Sequence, residues 1–148
     1  MKKLFSFTAS LVFLFILAFP VLATGSKQEV IDLGTVYMEN GMSCHTMLVI
    51  QNSSERTSNQ SGYIIKNFSY YGSTIAKVQL NGTFTYDGRT ARAIAVSVNH
   101  ATYNGWSYGG ESSWCSGNRV SMSATVTKGS ASVPVSATMS CSATGALS

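Results

Sequence analysis

Val120-Ser121-Met122-Ser123-Ala124-Thr125-Val126-Thr127-Lys128-Gly129-Ser130-Ala131-Ser132-Val133-Pro134-Val135-Ser136-Ala137-Thr138-Met139 alternates apolar and hydroxyl side chains on both sides of a Gly-Ser pair. Alternation with a period of two marks a strand with one buried face, and glycine supplies the positive φ needed at the first position of a two-residue hairpin turn. With Gly129-Ser130 as that turn, Lys128 faces Ala131, Val126 faces Val133, Ala124 faces Val135, Met122 faces Ala137 and Val120 faces Met139. The hydroxyl residues then face one another on the opposite side, with Pro134 across from Thr125. A slip of one residue would turn hydroxyls into the core, so the pattern itself selects the register. Pro134 falls at a position whose N–H would point away from the partner, which predicts that its strand lies at a sheet edge.

Two further hairpins follow upstream by the same logic. Asp87-Gly88 is a turn pair between alternating runs, predicting Tyr86 against Arg89, Phe84 against Ala91, Gly82 against Ala93 and Leu80 against Ala95. Gly72-Ser73 as a turn pairs Ile65 with Leu80 and Tyr63 with Gly82, on the face of Phe84. Val30–Met38 and Met47–Gln51 are strand candidates around the Asn40-Gly41 turn signal, and Asn52–Ser61 reads as a polar loop. Seven or eight strands with regular turn punctuation predict an all-β, antiparallel β-sandwich, Ig-like in the loose sense, with a jelly-roll or an open barrel as the competing layout.

The N-terminus reads as an export signal. Lys2 and Lys3 precede an apolar run from Leu11 to Phe19, and Pro20-Val21-Leu22-Ala23 ends it, the order of a signal peptide with cleavage expected between Ala23 and Thr24. The apolar run is short for a bilayer core of about 30 Å, so removal is favoured over an uncleaved anchor. The expected organisation is a signal helix over 1–23 and one secreted domain over 24–148. Without Lys2 and Lys3, eight basic residues remain against six acidic ones, a balance of +2. The cations stand singly among Ser, Thr and Asn, without the clustered stripe that nucleic-acid binding uses.

Gly82-Thr83-Phe84-Thr85-Tyr86-Asp87-Gly88 and Met139-Ser140-Cys141-Ser142-Ala143-Thr144-Gly145-Ala146-Leu147-Ser148 resemble segments of uncharacterised small secreted β-rich proteins of Gram-positive bacteria. The resemblance covers the C-terminal 67 residues. It implies secretion and β structure, and carries over no functional residue.

Three cysteines, Cys44, Cys115 and Cys141, remain after the leader. The last hairpin's register puts Cys141 opposite Asn118, close in sequence to Cys115, so an oxidising compartment would permit a Cys115–Cys141 disulfide with Cys44 left over. Such a bridge would contribute roughly 3 kcal/mol by restricting the unfolded chain. Cys44-His45 juxtaposes a thiol and an imidazole, but adjacent side chains on a strand point to opposite faces, whereas a nucleophile and its base must touch. Two isolated histidines without paired Cys-x-x-Cys spacing do not make a zinc signature. No metal or cofactor is expected, and no catalytic constellation is visible. The Asn-x-Ser/Thr triplets at Asn52, Asn59, Asn67 and Asn81 read as composition in a bacterial chain and as glycosylation candidates in a eukaryotic one.

Tyr103-Asn104-Gly105-Trp106-Ser107-Tyr108-Gly109-Gly110-Glu111-Ser112-Ser113-Trp114 gathers four large aromatics among glycines and small polar residues. One reading is a flat platform on which sugar rings stack, with Tyr103, Trp106, Tyr108 and Trp114 as rings and Asn104 and Glu111 bonding hydroxyls. The other has the two tryptophans plugging the core, which requires Trp106 to be buried. The functional expectation is a secreted or surface-associated interaction module whose partner is a cell-wall glycan or a surface protein. A bacteriocin-like antagonistic effector is the alternative, and a secreted hydrolase the third.

Overall fold

The computed structural model describes residues 27–52 and 58–148. The expected leader over 1–23 and its expected cleavage point between Ala23 and Thr24 lie outside the described residues. Eight strands follow in order: β1 (Lys27–Tyr37), β2 (Met42–Asn52), β3 (Asn59–Tyr70), β4 (Ser73–Tyr86), β5 (Ala91–Thr102), β6 (Ser107–Ser116), β7 (Arg119–Lys128) and β8 (Ala131–Ser140). A short 3-10 turn, Glu39–Gly41, links β1 to β2. The strands form two antiparallel sheets, β1-β2-β3-β4-β5 and β6-β7-β8, each running in sequence order. The sandwich is therefore built from two meanders, with neither the Greek-key crossings of a jelly-roll nor the closure of a barrel.

The last hairpin has the register that its alternation demands: Lys128 opposes Ala131, Val126 opposes Val133, and so on to Val120 with Met139. Gly129 has φ 58°. Val120, Met122, Ala124, Val126, Val133, Val135, Ala137 and Met139 are all buried, and β8 is an edge strand as Pro134 requires. Against this face, β3 and β4 contribute Ile64, Phe68, Ile75, Val78, Leu80 and Phe84. Gly62 and Gly82 are cross-strand partners. A Cβ on Gly82 would lie 2.7 Å from Met139 Cε and 2.8 Å from Val120 Cγ2. The bare backbone there lets the second sheet close on the first.

The two upstream hairpins correct the sequence-based register. The β3–β4 turn is Tyr71-Gly72, not Gly72-Ser73: Tyr70 opposes Ser73, and Tyr71 and Gly72 have φ 45° and 80°. Two consecutive positive φ values suit a type I′ turn, whose twist matches that of the strands. A bulge at Ile75 follows, so that Ile64 rather than Ile65 faces Leu80, and Gly62 rather than Tyr63 faces Gly82. Ile75 and Ala76 are both buried although adjacent. At β4–β5 the turn spans four residues, Asp87–Thr90. The Asp87 carboxylate accepts the N–H groups of Arg89 at 2.8 Å and Thr90 at 2.7 Å, and Asp87 N–H donates to Thr90 C=O at 3.1 Å. These bonds hold the Asp87 carboxyl below its ordinary pKa. Tyr86 consequently opposes Ala91 and Phe84 opposes Ala93; Ile94 then stands unpaired, and beyond it Gly82 meets Val96 and Leu80 meets Val98.

The five-stranded sheet is two strands wider than its partner. β8 packs over β3, and Gln28–Tyr37 of β1 are exposed except for the partly buried Ile31. Leu33 and Val36 are 53% and 64% exposed.

Candidate functional site

Residues 103–106 form the corner at which the chain leaves β5 for the second sheet. Asn104 takes φ 57° and its side-chain amide donates to Thr74 C=O at 2.9 Å, while Lys128 Nζ donates to Asn104 C=O at 2.8 Å. Trp106 is only 7% exposed, within the core and edge-on to Tyr70 at 6.1 Å. Its ring is therefore withdrawn from the platform drawn from sequence, and the core-plug reading holds for it.

The other members separate. Tyr108 is half-buried opposite Val126, stacked on His100 with ring centroids 3.8 Å apart, and its hydroxyl donates to Glu111 Oε2 at 2.9 Å. Glu111 is carried to that side because the β6–β7 register shifts between Gly109 and Ser112. His100 Nδ1 lies 3.8 Å from the same carboxylate oxygen. Burial, then the hydrogen bond and charge of Glu111, push the Tyr108 phenol above its ordinary pKa. This trio fastens the edge of β5 to that of β6, and the backbone does so again where Ala93 N–H donates to Gly117 C=O at 2.8 Å. Tyr103 and Trp114 keep exposed rings. Trp114 opposes Ser121, which shares a 3.0 Å hydroxyl contact with Thr138, so its indole stands on the hydroxyl face of β6–β8.

The expected Cys115–Cys141 disulfide is absent, and Cys44, Cys115 and Cys141 are free thiols. Cys141 does lie opposite Asn118, whose C=O accepts the Cys141 N–H at 3.0 Å. It is fully buried, however, whereas Cys115 is exposed on β6 and pairs with Val120 of β7. One strand intervenes, and two inter-strand steps of about 4.8 Å exceed the reach of a disulfide. Burial pushes the Cys44 and Cys141 thiols up, which opposes thiolate chemistry at neutral pH.

Cys44 and His45 take opposite faces of β2, with Cys44 in the core. His45 instead meets β1: its Nδ1 is 2.9 Å from Thr35 Oγ1 and its Nε2 is 3.6 Å from Asp32 Oδ1. The hydroxyl–imidazole–carboxylate order was not legible from sequence, because it depends on β1–β2 pairing across a bulge. The same Asp32 oxygen accepts Gly34 N–H at 2.7 Å, and the β1–β2 register shifts between these two residues. The trio fixes that bulge. Among the described residues, no cluster of three His, Cys, Asp or Glu side chains is arranged to hold a metal ion.

What sequence reasoning missed altogether is a groove on the open flank of the sandwich. Leu33, Thr46, Ile64 and Lys66 face Ser136 and Thr138 across a space of about 380 Å³. A second space on this flank lies between Met42 and Tyr70 on one side and Ser132 and Pro134 of β8 on the other. The signal available was the strand count: a sheet of three long strands cannot cover one of five.

Compared with protein families, curated proteins and solved structures, the chain has no match.

Proposed function

We propose that this chain is an exported binding module that acts outside the cell or on its surface, without catalysing a reaction. The observation that carries this reading is the open flank of the sandwich. Leu33 and Val36 remain exposed on β1, and Ile64 borders a groove that the chain's own second sheet leaves uncovered. Apolar side chains left in water beside a well-packed core favour association with a partner. The leader-like start at Lys2 to Ala23 supports the compartment, and a surface protein or cell-wall glycan is the partner class available there.

Expression of the full chain in the cells that make it tests both halves. The expected result is a product in the medium or wall fraction beginning at Thr24, and co-sedimentation of that product with intact cells. Retention in the cytoplasm, or no affinity for the cell surface, would overturn the proposal.

A further inference from the structure

Among the described residues, the edge of β8 away from β7 is unpaired as far as Met139, and it has a definite hydrogen-bonding pattern. A two-residue turn at Gly129-Ser130 makes Lys128 and Ala131 a hydrogen-bonded pair, so Ser132, Pro134, Ser136, Thr138 and Ser140 fall at the alternate positions, whose backbone groups point away from β7. Ser140 demonstrates the parity. Its N–H donates to Ser148 C=O at 2.8 Å, and Ser148 N–H donates back to its C=O at 3.0 Å. Leu147 bridges antiparallel to Cys141 and is buried, in reach of Gly62. Residues 147 and 148 thus already act as the beginning of a fourth strand on this sheet, with one side chain in the space between the layers. Beyond Ser140 the edge continues along Thr138 and Ser136, above the groove floored by Leu33, Thr46 and Ile64.

We propose that this edge accepts an extended segment of a protein partner as an added antiparallel strand, in line with Leu147-Ser148. Backbone donors and acceptors at strand spacing are matched by another backbone, which gives affinity, while alternate side chains give specificity. Every second side chain of the incoming segment enters the groove as Leu147 does, so those positions are apolar. Lys66 stands in the groove, and among the described residues no carboxylate is paired with it. One inward position of the segment therefore carries Asp or Glu. The outward positions are small and polar, continuing the hydroxyl face of Ser132, Ser136 and Thr138. Pro134 contributes no N–H, which concentrates the pairing on Ser136 and Thr138. A second copy of the whole sandwich does not fit, because sheets stack about 10 Å apart and its five-stranded sheet would fall on β1 and β2. A single strand fills the space without that clash.

This inference rests on the binding-module reading and adds the partner's chemistry. The test uses the purified protein and a fluorescein-labelled nonapeptide alternating Thr with Val, with one central Val replaced by Glu, followed by anisotropy. Saturable binding is expected, with a scrambled peptide at least tenfold weaker. Ser136→Pro and Thr138→Pro each remove one outward N–H without touching the β7 ladder, and should each weaken binding at least tenfold at unchanged melting temperature. Lys66→Glu, which needs no backbone change, should invert the preference to a peptide carrying Lys in place of Glu. Equal binding of ordered and scrambled peptides, survival of binding in both proline variants, or self-association of the protein as the only response would overturn the proposal. Failure here alongside retained adhesion to cells would remove the added strand and leave the module.

Discussion

Gly82 has Met139 and Val120 of the facing sheet where its side chain would be, and its cross-strand partner Gly62 meets Leu147 in the same way. Gly82→Ala should therefore cost about 1–3 kcal/mol, the usual range for an overpacked core position, read as a lower urea midpoint at unchanged m-value. Asp87 acts through the backbone N–H groups that donate to its carboxylate rather than through burial. Because those bonds lower its folded pKa, the stability it contributes is present above the ordinary carboxyl value, about 3.9, and is lost as pH falls through the lower folded value. Asp87→Ala should lower stability at pH 7 and flatten the acid limb of a stability-versus-pH curve, and an unchanged limb would contradict the assigned bonds. Neither glycine's close approach was readable from sequence, since it depends on distant residues of the facing layer, Val120 and Met139 for Gly82 and Leu147 for Gly62.

At the scale of the element, the β7–β8 hairpin was legible to the single residue pair, while β3–β4 and β4–β5 were legible only as hairpins. Alternation selects a register where it is unbroken on both strands, as it is from Val120 to Met139. Ile75 and Ile94 interrupt it, since a bulge uses one residue without advancing the partner. The Asp87 turn added two residues to its loop because a carboxylate that accepts two backbone N–H groups organises a wider turn than Asp-Gly alone. Phe84, buried where the two sheets meet, tests the corrected register. Phe84→Ala should cost about 3–5 kcal/mol by leaving a core cavity, whereas Ile65→Ala, partly exposed on the other face, should cost clearly less in the same denaturation series.

For the whole molecule, three thiols in three environments make a direct assay of the packing. Native protein should expose one thiol, Cys115, to a disulfide reagent, and three should react after denaturation without reductant; two fewer would restore the Cys115–Cys141 bridge. The raised thiol pKa values of Cys44 and Cys141 give an alkaline signature as well. Their contribution is complete below the ordinary thiol pKa, about 8.5, and declines as pH rises above it, because the unfolded thiols ionise first. Cys44→Ala and Cys141→Ala together should reduce that alkaline decline, measured by melting temperature between neutral and alkaline pH.

Periodicity and turn chemistry, which are local, determined the strand class and the buried face of the final hairpin from the sequence alone, and narrowed the layout to a sandwich, a jelly-roll or an open barrel. They also placed Cys44 and His45 on opposite sides of one strand. Tertiary packing decided that Trp106 fills the core while Trp114 stands outside, that Glu111 turns toward His100, and that β8 overlooks an uncovered groove. Each of those depends on which strand lies opposite, a relation between distant segments that side-chain alternation within one strand does not encode.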